Sequence, residues 1–216
     1  MSKPLLVLGA GGHASVLVDI LRQQDQEIIG LVAPDIEVKN QVFSGIKHFT
    51  NDDDILNFDS QSINLINGIG SLPDNNNLRI KLFNKYKDLG YTFESTISSK
   101  AIVSDYSQIG EGVQILAGAI IQTGACIGLN TIINSGAIIE HDCIIGQNNH
   151  IAPGVSISGN VVTSKGVHIG TGASIIQSLS IGKNSIIAAG AIVTKDVDDN
   201  TVFFSSKGTS RAINEK

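Results

Sequence analysis

Aliphatic side chains recur at every sixth residue through the second half of the chain. From Val103 to Val193 in steps of six, fifteen of the sixteen positions are Ile or Val, and the exception is Thr163. Glycines follow a longer period of eighteen residues, at Gly118, Gly136, Gly154, Gly172 and Gly190. Because eighteen is three times six, the pattern predicts a coil of three short strands with one inward aliphatic side chain each and glycine at the corners.

Other structures fit this pattern poorly. The density of β-branched residues and glycines disfavours a helix, and a β-sandwich has no reason to keep a six-residue phase over roughly ninety residues. The sequence therefore predicts a parallel β-helix. Periodicity leaves its handedness open, although the general preference of parallel crossovers would favour a right-handed coil.

The first part of the chain alternates apolar strands with amphipathic helices instead. Strands are predicted at 5–8, 28–32 and 63–66, with a short fourth at 91–93, and helices at 13–23 and 73–89, with a further helix start at Asp52. This βαβαβ order predicts a Rossmann-like α/β domain with a parallel sheet. We expect domains at 1–95 and 96–197, followed by a C-terminal cap and tail at 198–216.

Composition excludes several classes of protein. The 216 residues include 15 Lys and Arg against 20 Asp and Glu, a net charge of −5, which disfavours nucleic-acid binding. No apolar run approaches the ~20 residues that cross a bilayer, so no membrane insertion is expected. Glycines and a histidine near the N-terminus break any signal-peptide core, which predicts a cytoplasmic protein. Two cysteines, Cys126 and Cys143, are too few for a disulfide scaffold or a four-cysteine zinc site.

A glycine-rich turn, Gly-Ala-Gly-Gly-His-Ala at 9–14, lies between the first predicted strand and helix. Open backbone N–H groups at such a helix N-terminus suit a phosphate, although a turn without a ligand is the alternative. The chain before the β-helix has room for only one mononucleotide-binding half, which disfavours a dinucleotide. Asp35, after the second strand, and Gly70, in a polar turn after the third, lie at the same carboxyl edge, where such sheets bind ligands.

Histidines in the β-helix are placed on different sides of it. His150 and His168 are eighteen residues apart and should stack on one face, whereas His141 and His150 are nine apart, half a coil. A site that shares His141 and His150 must therefore lie between neighbouring subunits. His141 stands between Glu140 and Asp142, either of which could fix its tautomer for general-base catalysis. Each histidine taken singly could also be an ordinary polar residue, and no metal is expected because no ligand spacing accompanies them.

The region from Cys143 to Lys195 contains no acidic residue but has Lys165, Lys183 and Lys195. The phosphates of coenzyme A would suit such a strip, and an ordinary solvated face is the alternative.

Two motifs resemble a known family. The G-x-G-G-H turn in a short βαβ domain, followed by I-I-E-H-D-C-x-I-G-x-x-x-H-I-x-P-G at 138–154, resembles the NeuD/PglD group of sugar acetyltransferases in the hexapeptide-repeat acyltransferase superfamily. The resemblance covers nearly the whole chain. It implies a left-handed β-helix, acetyl-CoA as co-substrate, and a homotrimer with active sites between subunits.

The resemblance also implies roles for individual residues. The catalytic group would be His141 as general base, Asp142 as its acidic neighbour and Asn134 as a nearby polar residue. The acetyl-CoA site would contain His150 near the thioester and Gly159, Thr171 and Ala189 along the pantetheine groove. The nucleotide-sugar site of domain 1–95 would contain Gly11, Gly12, His13 and Asp35.

These observations predict an acetyl-CoA-dependent N-acetyltransferase that acts on a UDP-linked 4-amino-dideoxy sugar in surface glycan biosynthesis. The nearest alternative is a sialic acid O-acetyltransferase of the NeuD-like branch. A nicotinamide-binding regulatory protein is an alternative from another class. A purely structural, ice-binding β-helix is disfavoured because residues 140–142, which are Glu, His and Asp, would interrupt a flat array of threonines.

Overall fold

The computed structural model describes residues 3–36, 41–73 and 77–204. The first part is a sheet of four parallel strands: β1 (Leu5–Leu8), β2 (Ile28–Val32), β3 (His48–Phe49) and β4 (Asn64–Asn67). The strand order is β3-β2-β1-β4. Helix α1 (Gly12–Gln23) follows β1, and α2 (Asn77–Asp88) follows β4. Two 3₁₀ helices, Gln41–Phe43 and Asp52–Asn57, complete the Rossmann-like arrangement that the sequence predicts.

Both faces of this sheet are covered. Leu5 and Val7 of β1 pack in the core that contains α1, whereas Leu6 and Leu8 pack in the core that contains α2. Two-sided burial explains why β1 is a continuous apolar run rather than an alternating one.

Several element bounds differ from the predicted ones. Helix α1 begins at Gly12 rather than at residue 13, and the described part of the helix predicted at 73–89 is 77–88, since 74–76 lie outside the described residues. The predicted strand at 91–93 is reduced to a single parallel bridge between Phe93 and Leu65. Strand β3 was not predicted because two residues are too short to show an alternating pattern.

The second part is a left-handed parallel β-helix with three faces, built from two-residue strands. The first face contains Thr96–Ile97, Gln114–Ile115, Ile132–Ile133, His150–Ile151, His168–Ile169, Ile186–Ile187 and Val202–Phe203. The second face contains Ile102–Val103, Ile120–Ile121, Ile138–Ile139, Ser156–Ile157, Ser174–Ile175 and Ile192–Val193. The third face contains Gln108–Ile109, Cys126–Ile127, Ile144–Ile145, Val162–Thr163 and Ser180–Ile181.

Three corners join these faces. The first corner leads from the first face to the second, the second corner from the second to the third, and the third corner back to the first; examples are 134–137, 140–143 and 146–149. Strands on one face pair in parallel with those one coil away, as Ile133 does with Ile151. The inward hexad residues form one buried core, which confirms the β-helix prediction.

The corner glycines serve two physical purposes. Gly136 on the first corner has φ +67°, a left-handed conformation that glycine adopts without strain. Gly128 on the third corner has no such φ, but a Cβ there would lie 2.6 Å from the backbone nitrogen of Gln147 on the next coil. Positive φ therefore explains the glycines in phase with Gly136, whereas close approach of neighbouring coils explains those in phase with Gly128.

The C-terminal segment continues the β-helix for one more strand. Val202–Phe203 pairs with Ile186–Ile187 on the first face, sixteen residues away instead of eighteen, so the hexad phase is lost while the pairing is kept. The remainder of the predicted tail, 205–216, lies outside the described residues. None of the described helices combines the length and apolar character needed to cross a membrane.

Candidate functional site

His141 lies on the second corner of the β-helix, paired with its neighbour in sequence. Its Nδ1 donates to Asp142 Oδ2 over 2.8 Å, because a carboxylate can only accept. The neutral ring therefore carries its proton on Nδ1 and leaves the Nε2 lone pair free. Both side chains are about half exposed, at 52% and 60%, so this Nε2 can receive a proton from a bound substrate.

The backbone around His141 gives its ring room. Asp142 has φ +59°, and its N–H donates to Thr123 O of the previous coil. Gly159 lies one coil further along the same corner, where a Cβ would be 2.7 Å from both Cε1 and Nε2 of His141. The imidazole thus lies directly against the glycine backbone.

This position differs from the one expected for Gly159. Thr171 and Ala189 are both exposed on the first corner, a full coil of eighteen residues apart. Gly159 is twelve residues before Thr171, two-thirds of a coil, and therefore lies on the second corner beside His141. Within one chain the three residues cannot line a single groove.

A second cluster of functional side chains lies between the Rossmann-like sheet and the first face of the β-helix. It surrounds a cavity of about 430 Å³ that is lined by His13, Ile69, Gly70, Ser71, Leu72, Leu78, Asn134 and His150. The structure therefore brings together His13 and Gly70 from one domain and His150 and Asn134 from the other. His141 does not line this cavity.

His150 is held in the neutral state. Its Nδ1 donates to Ser71 O over 2.9 Å, and Asn134 Nδ2 lies 3.3 Å from its Nε2. Asn134 Oδ1 accepts from the backbone N–H of Ser135, which leaves the amide nitrogen to face the ring. Burial, assisted by the neighbouring His168, lowers the pKa of His150 from 6.5 to about 4. The His168 ring packs edge-to-face against it with a centroid separation of 4.8 Å, and the pairing of these residues one coil apart confirms that they lie on one face.

Asn134 therefore contacts His150 rather than His141. The expectation that Asn134 is near the general base fails within one chain, because Asn134 follows the first face and His141 follows the second.

His13 is also neutral. It lies in the first turn of α1, with Nε2 at 2.7 Å from Gln114 Oε1 of the β-helix. Burial is the largest cause that lowers its pKa to about 4, followed by the charge of Arg79, against a smaller opposing effect of the Gln114 hydrogen bond.

Arg79 is a functional candidate that the sequence did not suggest. It is 2% exposed, and burial lowers its pKa to about 9. Its guanidinium donates to Asn67 O at 2.9 Å, Ile69 O at 2.8 Å and Asn130 O at 3.3 Å. It thus joins the turn at 67–71 to the β-helix.

The glycine-rich turn presents an open helix N-terminus. A Cβ on Gly11 or Gly12 would have no heavy atom within 4 Å, and the first turn of α1 has no acidic residue. The N–H groups there are suited to an anion. Asp35 is exposed at the same sheet edge, where its Oδ1 accepts from Ile36 N–H, but it does not line the cavity.

The predicted strip of lysines is divided between two corners. Lys165 and Lys183 are exposed one coil apart on the third corner, whereas Lys195 follows the second face. Within 3–36, 41–73 and 77–204, no three His, Cys, Asp or Glu residues are grouped as metal ligands.

Comparison with known proteins gives a consistent result. The family model described as the PglD N-terminal domain matches residues 4–86. No curated protein sequence matches the chain significantly. Among solved structures, PerB from Caulobacter crescentus, in complex with CoA and GDP-perosamine, is 30% identical, with 94% of each chain covered and a TM-score of 0.84.

Two other structures are similar over nearly their whole length. The acetyltransferase domain of PglB from Neisseria gonorrhoeae, in complex with acetyl coenzyme A, is 26% identical, covering 94% of this chain and 97% of that one, with a TM-score of 0.83. WeeI from Acinetobacter baumannii is 25% identical, covering 93% and 96%, with a TM-score of 0.79.

Proposed function

The chain belongs to the acetyl-CoA-dependent sugar acetyltransferases of the hexapeptide-repeat superfamily, and we propose that it N-acetylates a nucleotide-linked 4-amino-dideoxy sugar for surface glycan biosynthesis. The observation that carries the proposal is the pairing of His141 with Asp142 on a β-helix whose first face packs against a Rossmann-like parallel sheet. The resemblance to the NeuD/PglD group favours UDP as the nucleotide, whereas PerB was crystallised with GDP-perosamine.

His141 acts as the general base in this proposal. The sugar amine attacks the thioester carbonyl carbon of acetyl-CoA, and His141 Nε2 takes up the amine proton as the C–N bond forms. The C–S bond then breaks, the leaving thiolate of CoA takes the proton from the His141 imidazolium, and the products are the N-acetyl sugar and free CoA. Asp142 holds the Nδ1–H tautomer and stabilises the imidazolium that forms.

The nucleotide sugar binds at the carboxyl edge of the Rossmann-like sheet. The N–H groups at the start of α1, which Gly11 and Gly12 leave open, hold the diphosphate. The adjoining cavity with His13 and Gly70 receives the sugar, and Asp35 contacts the nucleotide from the exposed side of the edge.

The site is composite, and the protein is a homotrimer. His141 lies on the second corner, opposite the first face that carries His150. His141 of one subunit therefore faces His150, Thr171 and Ala189 of the next, with acetyl-CoA between them, and closed threefold packing repeats this arrangement three times. Gly159 belongs to the His141 side of the groove. Sedimentation should show a trimer, and an active monomer would contradict this arrangement.

A thiol-release assay tests the function. Purified protein is incubated with acetyl-CoA and a panel of UDP- and GDP-linked 4-amino sugars, CMP-sialic acid and free sialic acid. The proposal predicts CoA release with a nucleotide-linked 4-amino sugar and a product heavier by one acetyl group. CoA release with sialic acid alone would indicate O-acetylation instead. Tight NADH binding without turnover of any sugar would indicate a regulatory protein.

A further inference from the structure

The orientation of one amide can be deduced at the junction of the two domains. Gln114 lies on the first face and is buried, at 1% exposure. Its Nε2 donates to Asn67 O over 2.7 Å, and Arg79 Nη1 donates to the same carbonyl. Because a carbonyl oxygen can only accept, the Gln114 amide nitrogen must face Asn67, and its Oε1 must face the other way.

This orientation determines the tautomer of His13. Gln114 Oε1 lies 2.7 Å from His13 Nε2 and can only accept, so Nε2 carries a proton. In a neutral ring Nδ1 is then an acceptor. Nδ1 of His13 makes no hydrogen bond within the described residues. It is also not one of the fully buried polar atoms that lack a hydrogen-bond partner. Nδ1 is therefore accessible, and the ring that carries it lines the cavity.

The surroundings keep the ring neutral. The charged or titratable groups that lower the pKa of His13 are Arg79 from α2, whose positive charge opposes an imidazolium, and, with the smallest effect, His150 from the first face. Arg79 itself forms no ion pair with a carboxylate among the residues that the structure describes. Nothing at this junction favours an imidazolium except the hydrogen bond to Gln114.

We propose that Gln114 is a positioning residue that fixes His13 as the neutral Nε2–H tautomer, so that Nδ1 accepts a hydrogen bond from an O–H or N–H group of the sugar substrate. Arg79 supports this arrangement by holding Asn67 O in place. His13 thus recognises a hydrogen-bond donor and is not a cationic phosphate ligand. The identity of the ligand rests on the proposed function, whereas the tautomer does not.

The tautomer is measured without substrate. Nitrogen-15 NMR of the full chain labelled at histidine, with His13→Asn for assignment, distinguishes the two neutral tautomers and the imidazolium. His13 should show the Nε2–H form throughout the range from about pH 5.5 to 8, where an ordinary histidine titrates. An Nδ1–H form, or protonation near the ordinary pKa, would overturn the proposal.

A variant tests the consequence for binding. In Gln114→Glu a carboxylate faces His13 and favours the imidazolium, which raises the pKa of His13. Protonated Nδ1 no longer accepts, so the KM for the nucleotide sugar, relative to wild type at each pH, should rise about 3- to 10-fold as pH falls through the new pKa, the range for one lost hydrogen bond. The KM for acetyl-CoA should stay unchanged.

Gln114→Met is the matched control. It removes the amide without adding a charge, so any loss of sugar affinity should be independent of pH. A sugar KM that does not respond to pH in Gln114→Glu, while NMR shows His13 protonated, would overturn the role of Nδ1. Absence of turnover with every nucleotide sugar would contradict the proposed function, and the NMR result would still decide the tautomer.

Discussion

At the scale of single residues, the contact between His141 and Gly159 links backbone packing to catalysis. The glycine is buried under the imidazole, and its φ does not lie in the left-handed region. An alanine there is compatible with the backbone but would place Cβ 2.7 Å from Nε2 and Cε1 of the ring. The ring, which is the mobile partner, must move.

Gly159→Ala should therefore lower kcat by about 10-fold or more while leaving the melting temperature nearly unchanged, because displacement of a catalytic group by about 1 Å can cost up to ~10²-fold in rate. Steady-state kinetics and thermal unfolding measure the two effects. Gln177→Ala, one coil further along the same corner and exposed, is the control and should have neither effect. A normal kcat in Gly159→Ala would contradict the proposed position of the base.

Thr163 is a polar residue at an inward position that otherwise holds Ile or Val. It is buried, and its Oγ1 accepts two hydrogen bonds. The Gly146 N–H donates to this oxygen over 3.1 Å, and the Asn149 side-chain amide donates to it over 2.5 Å. The exception to the hexad pattern is thus part of an internal polar network.

Thr163→Val should destabilise the protein by about 1–3 kcal/mol although it restores the pattern, because it leaves the buried side-chain amide of Asn149 without its acceptor. The Gly146 N–H keeps its hydrogen bond to Thr163 O. Urea unfolding measures this change in the free energy of unfolding. Ile181→Val, one coil away on the same face, is the control and should cost about 0.5–1.5 kcal/mol. A stabilised Thr163→Val would show that the network is dispensable.

Sequence patterns identify some of the important residues and miss others. The hexad period identifies inward positions, and the pair His141 and Asp142 stands out by its chemistry. Gln114 does not stand out, because it occupies an outward position, where the repeat accepts any residue. Its importance arises only from what packs on the first face.

At the scale of elements, the turn between β1 and α1 is a place where a substitution can weaken ligand binding without disturbing the fold. Gly12 begins α1, and a Cβ there would have no heavy atom of the protein within 4 Å. A bulky residue would instead occupy the space in front of the free N–H groups.

Gly12→Val should therefore abolish or strongly weaken binding of the nucleotide sugar while acetyl-CoA affinity is retained. Calorimetric titration of both ligands tests this, and circular dichroism controls for folding. Loss of both affinities in a folded variant would mean that the sheet supports the CoA groove. Unchanged affinity for the nucleotide sugar would remove this turn from the binding site.

The sequence predicts long or regularly repeated strands and helices well, and it misses short, isolated ones. The eighteen-residue period determines every strand from 102 to 193, because each repeat must satisfy the same geometry. Strand β3 and the single bridge at Phe93 were not predictable, since pairing to β2 and β4 and not a local pattern decides them. Handedness followed only from the family resemblance.

At the scale of the whole molecule, the packing of one domain on the other creates the cavity. The hydrogen bonds of Arg79 to Asn67 and Asn130 join the domains, and they bury His13 and His150 beside each other. No pattern within either domain predicts this contact, because it depends on how two separately folded surfaces meet.

This burial predicts how stability depends on pH. The pKa of both His13 and His150 is lowered from 6.5 to about 4. Between these values the unfolded chain binds protons that the folded protein does not, so stability should fall as pH decreases from about 6.5 towards 4 and should not depend on these groups above 6.5. Each group contributes up to about 1.4 kcal/mol per pH unit.

Denaturant unfolding at several pH values in this range measures the slope. His13→Gln should reduce the slope, because it removes one of the suppressed protonations. A slope in His13→Gln as steep as in wild type would indicate that His13 is not held neutral in the folded protein.

The central claim is that His141 is the general base of an acetyl transfer, and kcat of His141→Ala tests it most directly. Thiol release with acetyl-CoA and the best nucleotide sugar should show a kcat lowered by about 10²–10⁴-fold, with acetyl-CoA affinity nearly unchanged. Asp142→Asn, which keeps a residue that tolerates φ +59°, should cost less because it only orients the ring. Near-normal turnover by His141→Ala would contradict the account.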